Sequence, residues 1–260
     1  MKDIEVGYMQ GKRRNGGSAL AQVYGQLGDS CPDVKMVAVK AAFEVTQHLI
    51  SQGTVLSGHD ISDGGIAVAL LEMAFSGVAG ILIDLPNPGK DSTHDVLFAE
   101  EPGLVLEVPE ASARAVCDAY LEAGVSCTVI GAAIEAALCR VNVGGEMAIE
   151  GPTSALRDIW EQTSFQLERL QAAEQMVAAE EAGLRNRVPP KWCMSFVPEW
   201  TDASLLSREV KPRVAIIREE GSNGDREMAA AVHAAGTASC ANKMSPYLLP
   251  VRLTGLLDPS

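Results

Sequence analysis

Aromatic side chains are scarce: Phe, Trp and Tyr make up 5 % of the 260 residues. Any core must therefore be built mostly from Ala, Val, Leu and Ile. Long apolar runs are also missing. No stretch approaches the length a membrane span needs, and a soluble protein is expected. Met1 to Asn15 is polar and carries Lys12, Arg13 and Arg14, so no secretory signal is expected there. Positive charge is outweighed, with 21 Lys and Arg against 34 Asp and Glu and a net charge of −13. That balance speaks against a nucleic-acid or anionic-membrane partner, both of which draw on excess Lys and Arg. The cysteines (Cys31, Cys117, Cys127, Cys139, Cys193 and Cys240) include no Cys-x-x-Cys pair. This removes the common zinc and dithiol motifs, and a cytoplasmic chain with reduced thiols is expected. No histidine has a second one at ligand spacing. No P-loop occurs, and Ser222 lacks a Gly-x-Ser-x-Gly elbow.

What is present is ordinary globular composition, 47 % hydrophobic and 21 % charged. The length is enough for one to two domains. A short helix is expected around Ala19 to Leu27. A longer one begins at Asp33, presents Met36, Val39, Phe43 and Ile50 on one apolar face, and ends at Gly53. Thr54 to Leu56 is β-prone and runs into the most polar loop of the sequence, Ser57 to Gly65. A helix follows over Ile66 to Phe75. Strands are expected at Gly80 to Leu85, Gly103 to Val108 and Val125 to Ile130, with a helix at Ala111 to Ala123. Arg140 to Val143 and Met147 to Ile149 flank Gly144-Gly145 and read as a hairpin. This alternation predicts an α/β or α+β domain.

Beyond Pro152 the pattern changes. Leu156, Trp160, Thr163, Leu167, Leu170, Glu174 and Val177 step along one stripe, predicting a long amphipathic helix ended by Gly183. Residues 184 to 212 hold Pro189, Pro190, Pro198 and Pro212 and read as a linker. Then Arg213 to Ile217 reads as a buried strand, Glu219 to Asp225 as a turn, and Arg226 onward as a helix capped by Asp225. The remaining residues contain no second βα unit, so this domain is expected to begin without completing its sheet.

The loop Ser57-Gly58-His59-Asp60-Ile61-Ser62-Asp63-Gly64-Gly65 carries the most chemistry. Asp60 and Asp63 offer hard oxygens suited to Mg²⁺, with Ser62 between them. Gly64 and Gly65 lead into a helix N-terminus whose N–H groups suit phosphate. The plainer alternative is a strand-to-helix turn in which Ser62 or Asp63 caps the helix and the glycines permit close packing. On residue types alone both readings stand. Gly16 to Ala21, preceded by Lys12, Arg13 and Arg14, poses the same choice between an anion cradle and a capped helix start.

Several ordered blocks add a resemblance. They are Gly16-Gly17-Ser18-Ala19-Leu20-Ala21-Gln22, the Ser57 to Gly65 loop, Leu70-Leu71-Glu72-Met73-Ala74-Phe75 and Leu97-Phe98-Ala99-Glu100-Glu101-Pro102-Gly103. Two more are Trp160 to Leu167 and Arg213 to Met228. Together, from about residue 12 to 235, they resemble the large multidomain phosphoribosylformylglycinamidine synthase family, also called formylglycinamide ribonucleotide amidotransferase. The resemblance implies an ATP-dependent, glutamine-using ligase of purine synthesis with Mg²⁺ as companion of ATP or ADP. It implies that Asp60 contributes to Mg²⁺ and Ser62 to a nucleotide, in a segment resembling the end of the second of two pseudo-repeated synthetase halves. The resemblance further implies that the nucleotide there is an auxiliary, structural one.

The implied layout is a synthetase C-terminal-type lobe over 1–152, a helix and Pro-containing linker over 153–211, the start of a glutaminase-like domain over 212–235, and an unmatched tail over 236–260. The family's upstream acceptor site, further metal carboxylates, cysteine nucleophile and His-x-Glu partner have no counterpart here. No catalytic residue is assigned, and the chain alone is expected to be inactive. A non-catalytic nucleotide-binding or interaction fragment is the alternative.

Overall fold

The computed structural model describes residues 2–7, 11–89, 91–184, 193–197, 199–218 and 223–243. Pro189, Pro190, Pro198, the turn residues 219–222 and the tail from 244 lie outside them. The chain divides into two units, Met1–Pro190 and Lys191–Ser260. Its architecture is mixed α/β.

The first unit is built on a seven-stranded sheet. In chain order its strands are β1 (Lys2–Gly7), β2 (Ser57–Ile61), β3 (Gly80–Leu85), β4 (Gly103–Val108), β5 (Ser126–Ile134), β6 (Leu138–Val143) and β7 (Glu146–Pro152). Their spatial order is β2-β4-β1-β5-β3-β6-β7. All neighbours are antiparallel except β3 and β6. The predicted hairpin is present. Gly144 and Gly145 both have positive φ, +59° and +86°, as a two-residue turn matched to the strand twist requires.

Side chains alternate across this sheet and feed two cores. Val105 of β4 joins Ile83, Ile130 and Val141 under helices α3 (Gly65–Gly77) and α4 (Thr93–Phe98). Its neighbours Leu106 and Val108 join Val125 and Cys127 under α2 (Met36–Ser51) and α5 (Ala113–Glu122). Aliphatic residues dominate both cores, in keeping with the scarcity of aromatics. Tyr120 is the one fully buried aromatic among the described residues, and it meets Thr46 Oγ at 2.6 Å. Thr46 spends its own proton on the Ala42 carbonyl, 2.7 Å away, so the phenol is the donor between them.

Several expectations need correction. Helix α2 does not bury the Met36, Phe43 and Ile50 stripe, which is exposed. It turns Ala42, Thr46 and Leu49 inward instead, because the small Ala42 and the Thr46 hydroxyl fit against α5 and its Tyr120. Asp33 does not start α2; its carboxylate pairs with Arg14 at 2.5 Å and Lys12 at 3.4 Å.

The predicted long helix is two helices, α6 (Thr153–Glu168) and α7 (Glu174–Leu184). Arg169 at the break holds Glu174 and Glu181 of α7 at 3.2 and 2.5 Å. Helix α6 buries Thr153, Arg157 and Phe165, while Leu167 and Leu170 are exposed. Arg157 donates to the Leu184 carbonyl, which closes the end of α7.

In the second unit, after the short helix α8 (Ala203–Leu206), β8 (Arg213–Arg218) and α9 (Asp225–Ala234) form, but β8 is not the buried strand expected: it buries Ile216 and leaves Ile217 exposed. Asp225 does not cap α9; its carboxylate sits 3.0 Å from Arg218 on β8. The sequence also continues into β9 (Ala238–Lys243), parallel to β8. A β-α-β unit is therefore complete where no second strand was expected.

Candidate functional site

Half of the polar loop is strand. Residues Ser57–Ile61 pair along their length with β4, His59 opposite Val105 and Asp60 opposite Leu104. Gly58 admits this pairing, because a Cβ there would stand 2.8 Å from a Leu106 methyl. As an edge strand β2 carries polar residues on its open side, which is why its composition resembles a loop. The Asp60 carboxylate is 70 % exposed, and Ser62 and Asp63 are exposed in the turn that follows.

His59 ties this strand to two helices. Its Nδ1 lies 2.7 Å from the Asp60 carbonyl, and since a carbonyl only accepts, that nitrogen carries the hydrogen. Its Nε2 lies 3.0 Å from Glu72 of α3. The other Glu72 oxygen accepts the Trp160 indole N–H of α6 at 3.1 Å. These side chains line a cavity of about 600 Å³ together with Ser57 and Phe75. A second cavity of about 410 Å³ reaches Ile61 and Ile66, with Lys12 and Arg13 on its wall. The motif strand thus borders both hollows, the first through Ser57, Gly58 and His59 and the second through Ile61, while Asp60 and the turn residues Ser62 and Asp63 line neither.

The start of α3 is organised by a residue outside the motif. Gly64 caps the helix at φ +85° without any side-chain cap, so neither Ser62 nor Asp63 fills that role. Its N–H donates instead to Glu100 Oε1 at 2.9 Å. The same oxygen accepts the Ala19 N–H at 2.8 Å, at the start of α1 (Ala19–Val23). One carboxylate therefore closes two helix N-termini, where its charge is favoured. The Gly65 N–H donates to the Ser62 carbonyl at 2.9 Å. Gly65 itself has φ +69° and lies so close to the α4 end that a Cβ would be 2.6 Å from the Leu97 carbonyl oxygen.

The Gly16 turn also spends its N–H groups internally, Gly16 on the Ser30 carbonyl and Gly17 on that of Leu27. Arg14 clamps Glu101 through Nε at 2.6 Å and a second guanidinium nitrogen at 2.8 Å. The Glu101 and Asp33 carboxylates hold the Arg14 guanidinium proton more tightly than usual, and Arg14 in turn keeps the Asp33 carboxyl below its ordinary range. Asn15 donates to Asp95 at 2.7 Å. The Gly16, Ser57 and Leu97 blocks, far apart in sequence, thus meet at one place.

Glu72, Glu100 and Glu101 are residues to which motif reading gave no role, and Arg14, read as part of a candidate anion cradle, is spent on Glu101 and Asp33. Their signal was faint. An acidic pair ahead of a strand has no periodicity, and only the nearby Lys12-Arg13-Arg14 run hints that a carboxylate there needs a cation. Among the described residues no group of three or more His, Cys, Asp or Glu side chains could hold a metal ion. Asp60 supplies one hard oxygen, which fits a Mg²⁺ ion that keeps most of its ligands as water and phosphate, and does not make a closed site.

Residues 8–144 match the family of AIR synthase related proteins, C-terminal domain. The chain belongs to that family. It is 49 % identical over 234 residues to the probable phosphoribosylformylglycinamidine synthase, chloroplastic/mitochondrial, of Arabidopsis thaliana, covering 90 % of this chain and 17 % of that protein. It is also 49 % identical over 240 residues to phosphoribosylformylglycinamidine synthase of Homo sapiens, covering 90 % of this chain and 18 % of the relative. The chain thus spans under a fifth of the length of these relatives. The fold is shared with T. maritima PurL complexed with FGAR, at a TM-score of 0.53 and 18 % identity over 60 % of this chain and 27 % of that one.

Proposed function

We propose that this chain is a C-terminal lobe of phosphoribosylformylglycinamidine synthase, a ligase that uses ATP and glutamine to convert formylglycinamide ribonucleotide to formylglycinamidine ribonucleotide in purine synthesis. The observation that carries this reading is the 49 % identity over 234 residues to such a synthase. The lobe occupies 1–152, a helix and linker 153–211, and the opening of a glutaminase-like domain 212–235. Cytoplasm is the proposed setting, although the plant relative's name points to plastid or mitochondrion.

Within that enzyme ATP converts an amide oxygen into a phosphate leaving group, which ammonia from glutamine displaces. The groups for those steps belong to the rest of the protein. The proposed part of this chain is auxiliary. Asp60 offers its carboxylate to Mg²⁺ and Ser62 its hydroxyl to a nucleotide such as ATP or ADP. Gly64 and Gly65 let the backbone turn tightly beneath them. Mg²⁺, when bound, offsets phosphate charge on an otherwise acidic protein.

Calorimetric titration of the full chain with ATP and Mg²⁺ tests the reading. Binding should weaken at least tenfold in Asp60→Ala, and no glutamine hydrolysis should be measured. Equal binding by both forms removes the role of Asp60, and glutamine hydrolysis by the purified chain overturns the reading of an incomplete enzyme. The alternative is an interaction fragment that keeps the fold without the ligand. It is favoured by the lone position of Asp60, and absence of nucleotide binding by the unaltered chain would select it.

A further inference from the structure

The core on the α2 and α5 face contains two sulfurs in contact. Cys117 of α5 and Cys127 of β5 place their Sγ atoms 3.5 Å apart. A disulfide needs about 2.0 Å, so the two sulfurs must approach by about 1.5 Å. The link between the two elements keeps them close. After α5 the chain turns through Gly124, φ +75°, and the Val125 N–H donates to the Tyr120 carbonyl at 2.9 Å. Helix and strand are thereby bound through a short connection, and the 3.5 Å contact between the sulfurs favours reaction between them over reaction with a distant partner.

Their exposures differ in a useful way. Cys117 is half-buried and Cys127 buried. The other described cysteines have different settings. Cys31 and Cys193 are exposed, and Cys139 is buried against the Thr153 hydroxyl at 3.4 Å.

We propose that Cys117 and Cys127 form a reversible disulfide on exposure to a small-molecule disulfide such as oxidised glutathione, making this pair a redox modification site. The Cys117 thiolate attacks one glutathione sulfur, forms a mixed disulfide and releases one glutathione thiolate. The Cys127 thiolate then attacks the Cys117 sulfur and releases the second. Two protein thiols lose two protons and two electrons to the protein disulfide, and one oxidised glutathione becomes two reduced ones. The bond clasps α5 to β5 across a short loop and restricts the unfolded chain, so the oxidised form melts higher. The inference is independent of the nucleotide site and of the ligase reading.

The test equilibrates the full chain in glutathione buffers of graded potential, traps thiols by alkylation and maps non-reduced peptides by mass spectrometry. A peptide joined through Cys117 and Cys127, lighter by two hydrogens, should appear while Cys31 and Cys193 carry glutathione. The melting midpoint should rise by several degrees and return on reduction. In Cys127→Ser the mixed disulfide on Cys117 should persist; in Cys117→Ser, Cys127 should stay alkylatable only after unfolding. The proposal is overturned if both thiols remain reduced in the unaltered chain where Cys31 and Cys193 are fully modified. It is equally overturned if glutathione stays on Cys117 while Cys127 is intact.

Discussion

Removing the Glu100 carboxylate should loosen two helix starts at once. Its Oε1 accepts the Ala19 and Gly64 N–H groups at 2.8 and 2.9 Å. A hydrogen bond to a charged group contributes about 1.5–3 kcal/mol, and a carboxylate at a helix N-terminus adds about 0.3–1 kcal/mol. The two bonds share one oxygen and are not additive, so Glu100→Ala should cost about 3 kcal/mol. That is roughly a hundredfold in the folding equilibrium. Glu100→Gln keeps a carbonyl acceptor and gives up the charge, and should cost about half as much. Urea unfolding followed by circular dichroism gives the global figure. Amide hydrogen exchange gives the local one, with protection at Ala19 and Gly64 falling more than in the β6–β7 hairpin. The comparison is Glu122→Ala, at an exposed position on α5. If Glu100→Ala destabilises no more than that surface change, or if the Ala19 and Gly64 amides exchange at unaltered rates, the shared cap is not holding the two helices.

Two further outcomes follow from backbone and burial. Gly65→Ala should lose at least about 2 kcal/mol, since an L side chain at positive φ costs about 1–2 kcal/mol and its Cβ would also press on the Leu97 carbonyl. Gly183→Ala, on α7 with open space around it, should move the other way by up to about 1 kcal/mol; equal signs in urea unfolding would refute the contrast. Burial pushes the Tyr120 phenol up. Below the ordinary phenol value near 10 both folded and unfolded chains hold the proton. Above it the unfolded chain releases its proton first, so stability falls as pH rises through the raised folded value. Unfolding free energies measured across that alkaline range should decline, and Tyr120→Phe should flatten part of the decline while costing about 1 kcal/mol at neutral pH.

The sequence was most informative where structure is local. Gly144-Gly145 announced a hairpin, Gly53 and Gly124 announced helix ends, and the ordered blocks pointed to the family. Periodicity was less reliable where a helix is apolar on more than one side. On α2, hydropathy favoured Met36, Phe43 and Ile50, whereas packing turned inward the smaller Ala42 and the polar Thr46, whose value depends on Tyr120 far along the chain. On α6, an inward position went to Arg157, which donates to the Leu184 carbonyl. Composition also misread β2, since an edge strand with an open polar side looks like a loop. At the candidate site, Asp60 and Ser62 could be picked from their residue types. Glu100 could not, because its role arises only when two helix starts from distant segments meet across it. The second parallel strand at Ala238–Lys243 carries too few β-branched residues to stand out from a polar tail.

Strand β1 has a consequence for how the sheet holds together. It lies between β4 on one side and β5 on the other, paired with both along nearly its whole length. Without it, β2 and β4 would form a two-stranded ribbon, and β5, β3, β6 and β7 a separate four-stranded patch. An early chain segment therefore serves as the keystone of the sheet. Loss of those few residues would not shave a border from the structure but part it down the middle. Two raw seams of unpaired backbone would then lie open to whatever strand came near.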